Sequence, residues 1–172
     1  MATYSPRMAL MASVLTALKD DPAIGDPVMP PGATAFEYIP LTPVRVAYLK
    51  AVRAVSTLNA IYVLHAHRYA LEFSTLIRCQ RDCVDDIFFL LEEYPNHSPE
   101  VDQFVQHFAQ TSRTAADEEI YPVKKDKIFS ARARFFLSDP MSKEYQNYKA
   151  KLWKVYKVFC GYIHANQHHT TE

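Results

Sequence analysis

The stretch Val44–Tyr94 contains neither proline nor glycine, and this feature restricts the possible folds of the chain more than any other. Apolar residues recur through it at spacings of three and four, the period of an amphipathic α-helix. One helix of this length would far exceed the usual length of helices in globular proteins. Polar and aromatic residues interrupt the pattern at His65–Tyr69, so the sequence predicts an antiparallel hairpin of two helices, Val44–Leu64 and Tyr69–Glu93.

Breaking and capping residues divide the rest of the bundle into shorter helices. Ser98-Pro99 is typical of an N-cap followed by the first helical position, Tyr121-Pro122 indicates a loop, and Ser138-Asp139-Pro140 is expected to cap another helix. These signals predict three further helices. The first begins at Pro99, runs through Phe104 and Phe108 and fades around Thr111–Glu118, and the other two lie at about Lys125–Phe136 and Lys143–Asn166. The fold class predicted is therefore all-α, a helical bundle of four to five main helices.

Seven of the eleven Pro lie at or before position 43, which separates an N-terminal extension from the bundle. Met8–Leu18 predicts a short amphipathic helix, and Asp20–Pro43 is expected to be an extended, Pro-rich arm. Four apolar residues are expected to anchor this arm by packing: Phe36, Tyr38, Ile39 and Leu41. We therefore predict an extension over residues 1–43 and a bundle domain over residues 44–172.

Composition limits the classes of partner and compartment. Nineteen Lys and Arg balance nineteen Asp and Glu, so binding to RNA or to an anionic membrane would need a local basic patch. Three Cys are too few for a disulfide framework, which predicts reduced thiols and a cytoplasmic protein. No apolar run approaches the roughly 20 residues that span a bilayer. A signal peptide is not expected, because Lys19, Asp20 and Asp21 directly follow the apolar Met8–Leu18 segment.

The last predicted helix carries Trp153, Lys157, Cys160 and His164 on one stripe. The neighbouring stripe is expected to face the core and consists of Tyr148, Leu152, Val155, Phe159 and Ile163. A His that follows a cation by two turns places an acid/base group near a charge stabiliser, so this helix is a candidate catalytic element. The alternative is a structural edge, where Trp153 packs, the Lys157 stem covers apolar surface and His164 interacts with the helix dipole.

A second candidate lies on the helix Tyr69–Glu93. Its predicted apolar face consists of Phe73, Leu76, Ile77, Val84, Ile87 and Leu91, and its opposite side carries Ser74, Arg78, Asp82 and Asp85. Arg78 and Asp82 lie one turn apart and would form an ion pair on an exposed face without any function. Because Leu71 and Phe89 share that side, the pair could instead belong to a pocket or a dimer interface.

Metal and cofactor sites are not predicted. Cys79 and Cys83 lie one turn apart but lack two further ligands at motif spacing, and small buried side chains are the better interpretation. His164 and His168 are also one turn apart, but Ala165 stands where a zinc-protease helix has its Glu. The chain has neither a Gly-rich phosphate loop nor a Gly-x-Ser-x-Gly segment, which disfavours P-loop enzymes and serine hydrolases.

Two segments together resemble the HEPN-like superfamily of helical bundles, in particular its bacterial branch found among defence and toxin-antitoxin genes. Leu76-Ile77-Arg78-Cys79-Gln80-Arg81-Asp82 is similar to that branch's Leu-x-Arg-x-x-x-Glu, with Asp82 in place of Glu. Tyr156-Lys157-Val158-Phe159-Cys160-Gly161-Tyr162-Ile163-His164 is similar to its closing Tyr-x-x-Leu-Ser-x-Tyr-Val-His. The resemblance covers about residues 44–166.

The resemblance implies a homodimer that acts on RNA, as a metal-independent ribonuclease or as an RNA-binding component of a defence or toxin-antitoxin system. It implies that His164 is the general acid/base, that Arg78 or Lys157 stabilises charge on the phosphate, and that Asp82 orients Arg78. The superfamily's ribonucleases have an Arg four to six residues before the catalytic His. Here Lys157 is the nearest cation, and it lacks the planar guanidinium fork.

Two other functions remain open from the sequence. The first is a noncatalytic helical interaction module, such as an immunity, antitoxin or adaptor protein. It is favoured by zero net charge and by eleven Tyr and ten Phe, because aromatic side chains dominate interface energetics. The second is a small-molecule pocket inside the bundle, lined by Arg78, Asp82 and His164.

Overall fold

The computed structural model describes residues 6–32, 37–92, 94–111 and 123–169, and among these it forms six helices. The helices are α1 (Pro6–Lys19), α2 (Pro43–Ala66), α3 (Ala70–Leu91), α4 (Pro99–Thr111), α5 (Lys125–Phe136) and α6 (Lys143–His169). For some residues within these ranges the structure describes the backbone and not the side chain, namely positions 7, 70, 71, 110, 111 and 161–169. The all-α class is confirmed. The β pairing found among the described residues is one isolated bridge, between Val28 and Glu37. None of the described helices is long and apolar enough to cross a lipid bilayer.

The helical hairpin of α2 and α3 forms as predicted. Thr42 caps α2 by accepting the backbone N–H of Arg45 at 3.2 Å, and Pro43 occupies the first turn. The chain turns at residues 67–69, where Arg68 adopts a φ of 62°. The interruption of the apolar pattern by polar and aromatic residues therefore predicted the correct break in a stretch without proline or glycine.

The cap of α6 is not the one that the sequence predicted. The Ser142 side chain accepts the backbone N–H of Tyr145 at 3.1 Å and is itself held by the Asp139 carbonyl at 2.8 Å. Asp139 instead closes the preceding turn by accepting the backbone N–H of Met141 at 2.9 Å. The predicted segment Ser138-Asp139-Pro140 thus forms the turn before the cap.

α3 is the central helix, because it packs against α2, α5 and α6. The apolar core between α2, α3, α4 and α5 consists of Val46, Ala47, Phe89, Leu90, Val101, Phe104, Val105, Val123, Ile128 and Ala131, with Leu41 and Phe108 packed beside it. The predicted apolar face of α3 is partly wrong: Leu91 is 42% exposed, whereas Asp85 and Asp86 are buried. A helix with neighbours on several sides buries its polar residues too, provided that they are paired.

The Pro-rich arm is held against the bundle by Arg45 of α2. Its guanidinium donates to the backbone carbonyls of Ile24 at 2.7 Å and Pro40 at 2.6 Å, and it lies 5.8 Å from the centre of the Tyr38 ring. Of the predicted anchors, Tyr38 and Leu41 are half-buried, Ile39 is 53% exposed, and Phe36 lies outside the described residues. The sequence did not predict Ile24 as an anchor, although its side chain is only 2% exposed.

Replacing Arg45 with alanine is expected to release the arm without unfolding the bundle. The change removes two charge-assisted hydrogen bonds, which contribute about 1.5–3 kcal/mol each when desolvated. Amide hydrogen exchange of residues 21–28 should accelerate at least tenfold, while α3 amides remain protected. Arg53→Ala, at an exposed position of the same helix, serves as the control. Unchanged exchange in the arm would contradict this role of Arg45.

Candidate functional site

Three carboxylates on adjacent turns of α3 organise a cluster of charged residues between the helices. Asp85 and Asp86 are 1% and 0% exposed, and the side chain of Asp82 is 21% exposed. Burying a carboxylate is costly unless a cation compensates it. The fold supplies cations from α2, α3 and α5, so helices distant in sequence meet at these three residues.

Asp82 lies at the outer end of this cluster. It receives the Lys125 ammonium at 3.0 Å and the Arg78 guanidinium at 3.7 Å. Both cations also lie over the Tyr156 ring of α6, at 5.7 and 5.5 Å from its centre. Burial is the main cause that raises the pKa of Tyr156, followed by its hydrogen bond with Cys160. This end of the cluster therefore joins α3, α5 and α6.

Asp85 occupies the middle of the cluster and holds two guanidinium groups. Arg132 of α5 donates to one carboxylate oxygen, and Arg81 lies 3.5 Å from the other. Arg81 also donates to the backbone carbonyl of Leu152 at 3.0 Å, and Arg132 to the Tyr148 hydroxyl at 3.3 Å. Burial acts to lower the pKa of Arg132, but the contacts with Asp85 and Tyr148 outweigh it and raise that pKa.

Asp86 forms the innermost ion pair, with Lys50 of α2 at 2.8 Å. The Lys50 ammonium also lies 5.7 Å from the centre of the Phe104 ring and 5.3 Å from that of Phe108. Burial raises the pKa of Asp86, and the Lys50 charge opposes this rise. Three buried polar atoms of the cluster lack a hydrogen-bond partner in the described structure: Arg81 Nε, Asp85 Oδ2 and Asp86 Oδ1.

The cluster as a whole carries excess positive charge. Five cations surround the three carboxylates: Lys50, Arg78, Arg81, Lys125 and Arg132. One excess positive charge lies at the groove between α3 and α6, which Arg81 and Arg132 both line, and the other lies beside Asp82. The arrangement can stabilise the packing of α3 and can present positive charge at that groove.

The four sequence-predicted site residues divide into three places. Arg78 and Asp82 are brought together as an ion pair, half-buried against Tyr156. Lys157 is exposed on α6, and no contact among the described side chains joins it to that pair. The His164 side chain lies outside the described residues; the α6 backbone places position 164 about 12 Å along the axis from Tyr156. Convergence of His164 with Arg78 and Asp82 stays a prediction.

On α6, Trp153 packs as the structural alternative predicted, whereas the core-facing side differs from the prediction. Trp153 packs edge to face on Phe129 with ring centres 5.1 Å apart, and its indole N–H donates to Asp126 at 3.3 Å. Tyr145 and Leu152 are buried, but Val155, predicted for the core face, is 40% exposed. The packed side of α6 is therefore rotated toward Trp153 and Tyr156.

Most ion-pair partners in the cluster are not predicted by the sequence patterns. Of the two buried carboxylates, only Asp85 is singled out by the sequence pattern, and it is predicted to lie on an outer side of α3. A usable signal was present, because Asp85-Asp86 interrupts the most apolar segment of the chain, between Val84 and Ile87-Phe88-Phe89-Leu90. Acids inside such a segment demand buried cations.

The cysteine thiols add little to the site. Cys83 is buried, Cys79 and Cys160 are half-buried, and all three are free thiols. Burial raises the pKa of Cys83, which disfavours the nucleophilic thiolate form. Among the described residues, no group of three or more His, Cys, Asp or Glu side chains could hold a metal ion.

Comparisons with known proteins give no family assignment. No protein-family model matches the chain, and no curated protein or solved structure is significantly similar to it. The resemblance to HEPN-like bundles therefore stays a prediction that rests on the two segments of α3 and α6.

Proposed function

We propose that this protein is an HEPN-like, RNA-directed protein that contacts RNA through the outer face of α6. The supporting observation is a local excess of positive charge. α6 contains five Lys and one Glu, in a chain whose acidic and basic residues balance as a whole. Lys154 and Lys157 are exposed, whereas Lys149 is paired with Asp126 at 2.8 Å. Exposed cations on one helix face attract the phosphate backbone of RNA.

The chemistry in this proposal belongs to Lys157 and His164. Lys157 neutralises charge on a bound phosphate, and His164 acts as the general acid/base of a metal-independent cleavage. Arg78 and Asp82 act as positioning residues, because they hold α6 through the Tyr156 ring. We propose a cytoplasmic location, which three free thiols favour. We also propose that the active form is a homodimer and that it belongs to a defence or toxin-antitoxin system.

The decisive experiment combines RNA cleavage and RNA binding by the purified protein in EDTA. A mixed panel of transfer and messenger RNA is incubated with the wild type and with His164→Ala. Cleavage by the wild type alone would support a metal-independent ribonuclease that uses His164. Binding without cleavage by either protein would support an RNA-binding component. Absence of both binding and cleavage would overturn the RNA proposal.

The double substitution Lys154→Gln and Lys157→Gln is expected to weaken binding to all RNA sequences alike. Two phosphate contacts are lost, so the slope of log K against log salt should fall by about 1.4 for single-stranded RNA. Fluorescence anisotropy over a salt series measures both quantities. Arg53→Gln removes an exposed cation from α2 and should leave the slope unchanged. An unchanged slope in the double variant would remove α6 from the RNA contact.

A second candidate function is the noncatalytic interaction module, favoured by an exposed aromatic patch. Phe135 and Phe136 at the end of α5 are 71% and 55% exposed. Both pack against Phe88 of α3, with ring centres 4.8 and 5.5 Å away. Contiguous exposed aromatic surface is typical of protein interaction sites. Light scattering would show whether the partner of this patch is a second copy of the chain.

A further inference from the structure

A groove of about 460 Å³ lies between α3 and α6, and Arg132 of α5 contributes to its lining. Its lining residues are Ile77, Gln80, Arg81, Val84, Arg132, Tyr148, Lys151, Leu152, Val155 and Phe159. The α6 wall, from Tyr148 to Phe159, is about 16 Å long, or three helical turns. The groove is open to solvent along this length, so it suits an elongated occupant better than an enclosed small molecule.

The floor of the groove is apolar and lies uncovered by any described helix. Its residues on α6 are those whose spacing is typical of a core-facing stripe, yet Val155 is 40% exposed. Most of the apolar lining is aliphatic, as in Ile77 and Val84. Aliphatic side chains bind other apolar side chains but give nucleic-acid bases few rings to stack on.

The charge of the groove is one-sided. Arg81 and Arg132 share the single carboxylate of Asp85, which leaves one positive charge uncompensated. Lys151 is exposed on the opposite wall. None of the described residues that line the groove is Asp or Glu. An occupant that buries apolar side chains here would therefore be favoured if its remaining surface is acidic.

We propose that this groove binds an acidic amphipathic α-helix of a protein partner. Such a helix lays apolar side chains at positions i, i+3, i+4 and i+7 along the floor and directs carboxylates at Arg81, Arg132 and Lys151. The proposal deepens the interaction-module function by naming its site and partner chemistry. It does not depend on RNA binding, because Lys154 and Lys157 are not among the groove's lining residues.

The test uses a fluorescent helical peptide of about 18 residues, roughly 27 Å long, with Leu at the apolar positions and Glu at most others. Its affinity for the full chain is measured by fluorescence anisotropy. One control peptide has the same composition with Leu positions scrambled, and a second has Lys in place of Glu. We expect binding of the acidic amphipathic peptide at least tenfold tighter than of either control. Equal affinity for all three peptides would overturn the proposal.

Two substitutions assign the binding to the groove. Val155→Ser removes apolar contact without changing charge and should lower the affinity for the peptide about fivefold. Lys151→Glu, at an exposed position, should lower the affinity for the peptide by a similar factor through charge reversal. Circular dichroism checks that both variants are folded. If neither substitution changes the affinity of the folded protein, the groove is not the site.

A third variant separates this proposal from its alternatives. Phe135→Ser with Phe136→Ser should leave the peptide affinity unchanged, because neither residue lines the groove. Loss of peptide binding in this variant alone would place the interaction on the aromatic patch and overturn the groove proposal while keeping the interaction module. Loss of RNA binding by Val155→Ser, with peptide binding intact, would assign the groove to RNA instead.

Discussion

Replacing Lys50 with methionine is expected to lower the free energy of unfolding by about 3–5 kcal/mol at neutral pH, because it strands a buried charge. Asp86 is fully buried, and Lys50 is its ion-pair partner among the described residues. Methionine keeps much of the apolar length of lysine, so the loss reports mainly on the ammonium charge, including its contact with the Phe104 ring. Urea denaturation followed by circular dichroism measures the change.

The pH dependence of this variant has a definite sign. Burial raises the pKa of Asp86, and Lys50 opposes that rise, so removing Lys50 raises the pKa further. A carboxyl with a raised pKa binds more protons in the folded than in the unfolded protein, so folding gains stability as pH falls through the raised pKa. The difference between wild type and Lys50→Met should therefore narrow from pH 7 to about pH 5.

Two controls make the interpretation specific. The double variant Lys50→Met with Asp86→Leu should recover most of the lost stability, because it removes both charges together. Lys154→Met, at an exposed position of α6, should change stability by less than about 0.5 kcal/mol. If the double variant is no more stable than Lys50→Met, the loss does not come from an unpaired Asp86.

Replacing Asp85 with alanine is expected to lower the free energy of unfolding by about 3 kcal/mol, because one carboxylate neutralises two partly buried guanidinium groups. Arg81 and Arg132 have side chains only 14% and 22% exposed. Each keeps one other partner, Leu152 or Tyr148, which makes this cost smaller than the loss of Lys50. Asp85→Asn keeps the side-chain shape and should cost about 2 kcal/mol. Thermal and urea unfolding measure both variants.

The matched control for Asp85 is Asp126, another carboxylate in an ion pair. Asp126 accepts Lys149 at 2.8 Å, but its side chain is 57% exposed. Asp126→Asn should therefore cost less than about 1 kcal/mol. Equal losses at Asp85 and Asp126 would mean that burial does not set the strength of these pairs. Relief of the Asp85→Ala loss at high salt would likewise contradict a buried interaction.

Much of the helical framework could be predicted because its signals are local. The bounds of α5 match the predicted Lys125–Phe136, and the turn between α2 and α3 lies within the predicted break at His65–Tyr69. Capping residues, proline positions and apolar period act within a few residues of chain. Ser142 was missed as the α6 cap because several neighbouring residues can cap equally well.

The candidate site was less predictable because it depends on residues distant in sequence. Arg78 and Asp82 lie one turn apart, so their ion pair follows from helical spacing. Lys125, which binds Asp82, lies 43 residues further along the chain. Its approach depends on how α5 packs on α3, and no local pattern encodes that packing.

Local patterns along the chain specify which segments are helical, that the bundle is all-α, and that α6 is rich in lysine. Which faces are buried follows instead from the packing of the helices, which encloses Asp85 and Asp86 in α3 and leaves Val155 of α6 exposed. The physical reason is that helix formation is governed by neighbours within about one turn. Burial depends on which distant helix supplies the opposing surface, here Lys50 from α2 and Arg132 from α5.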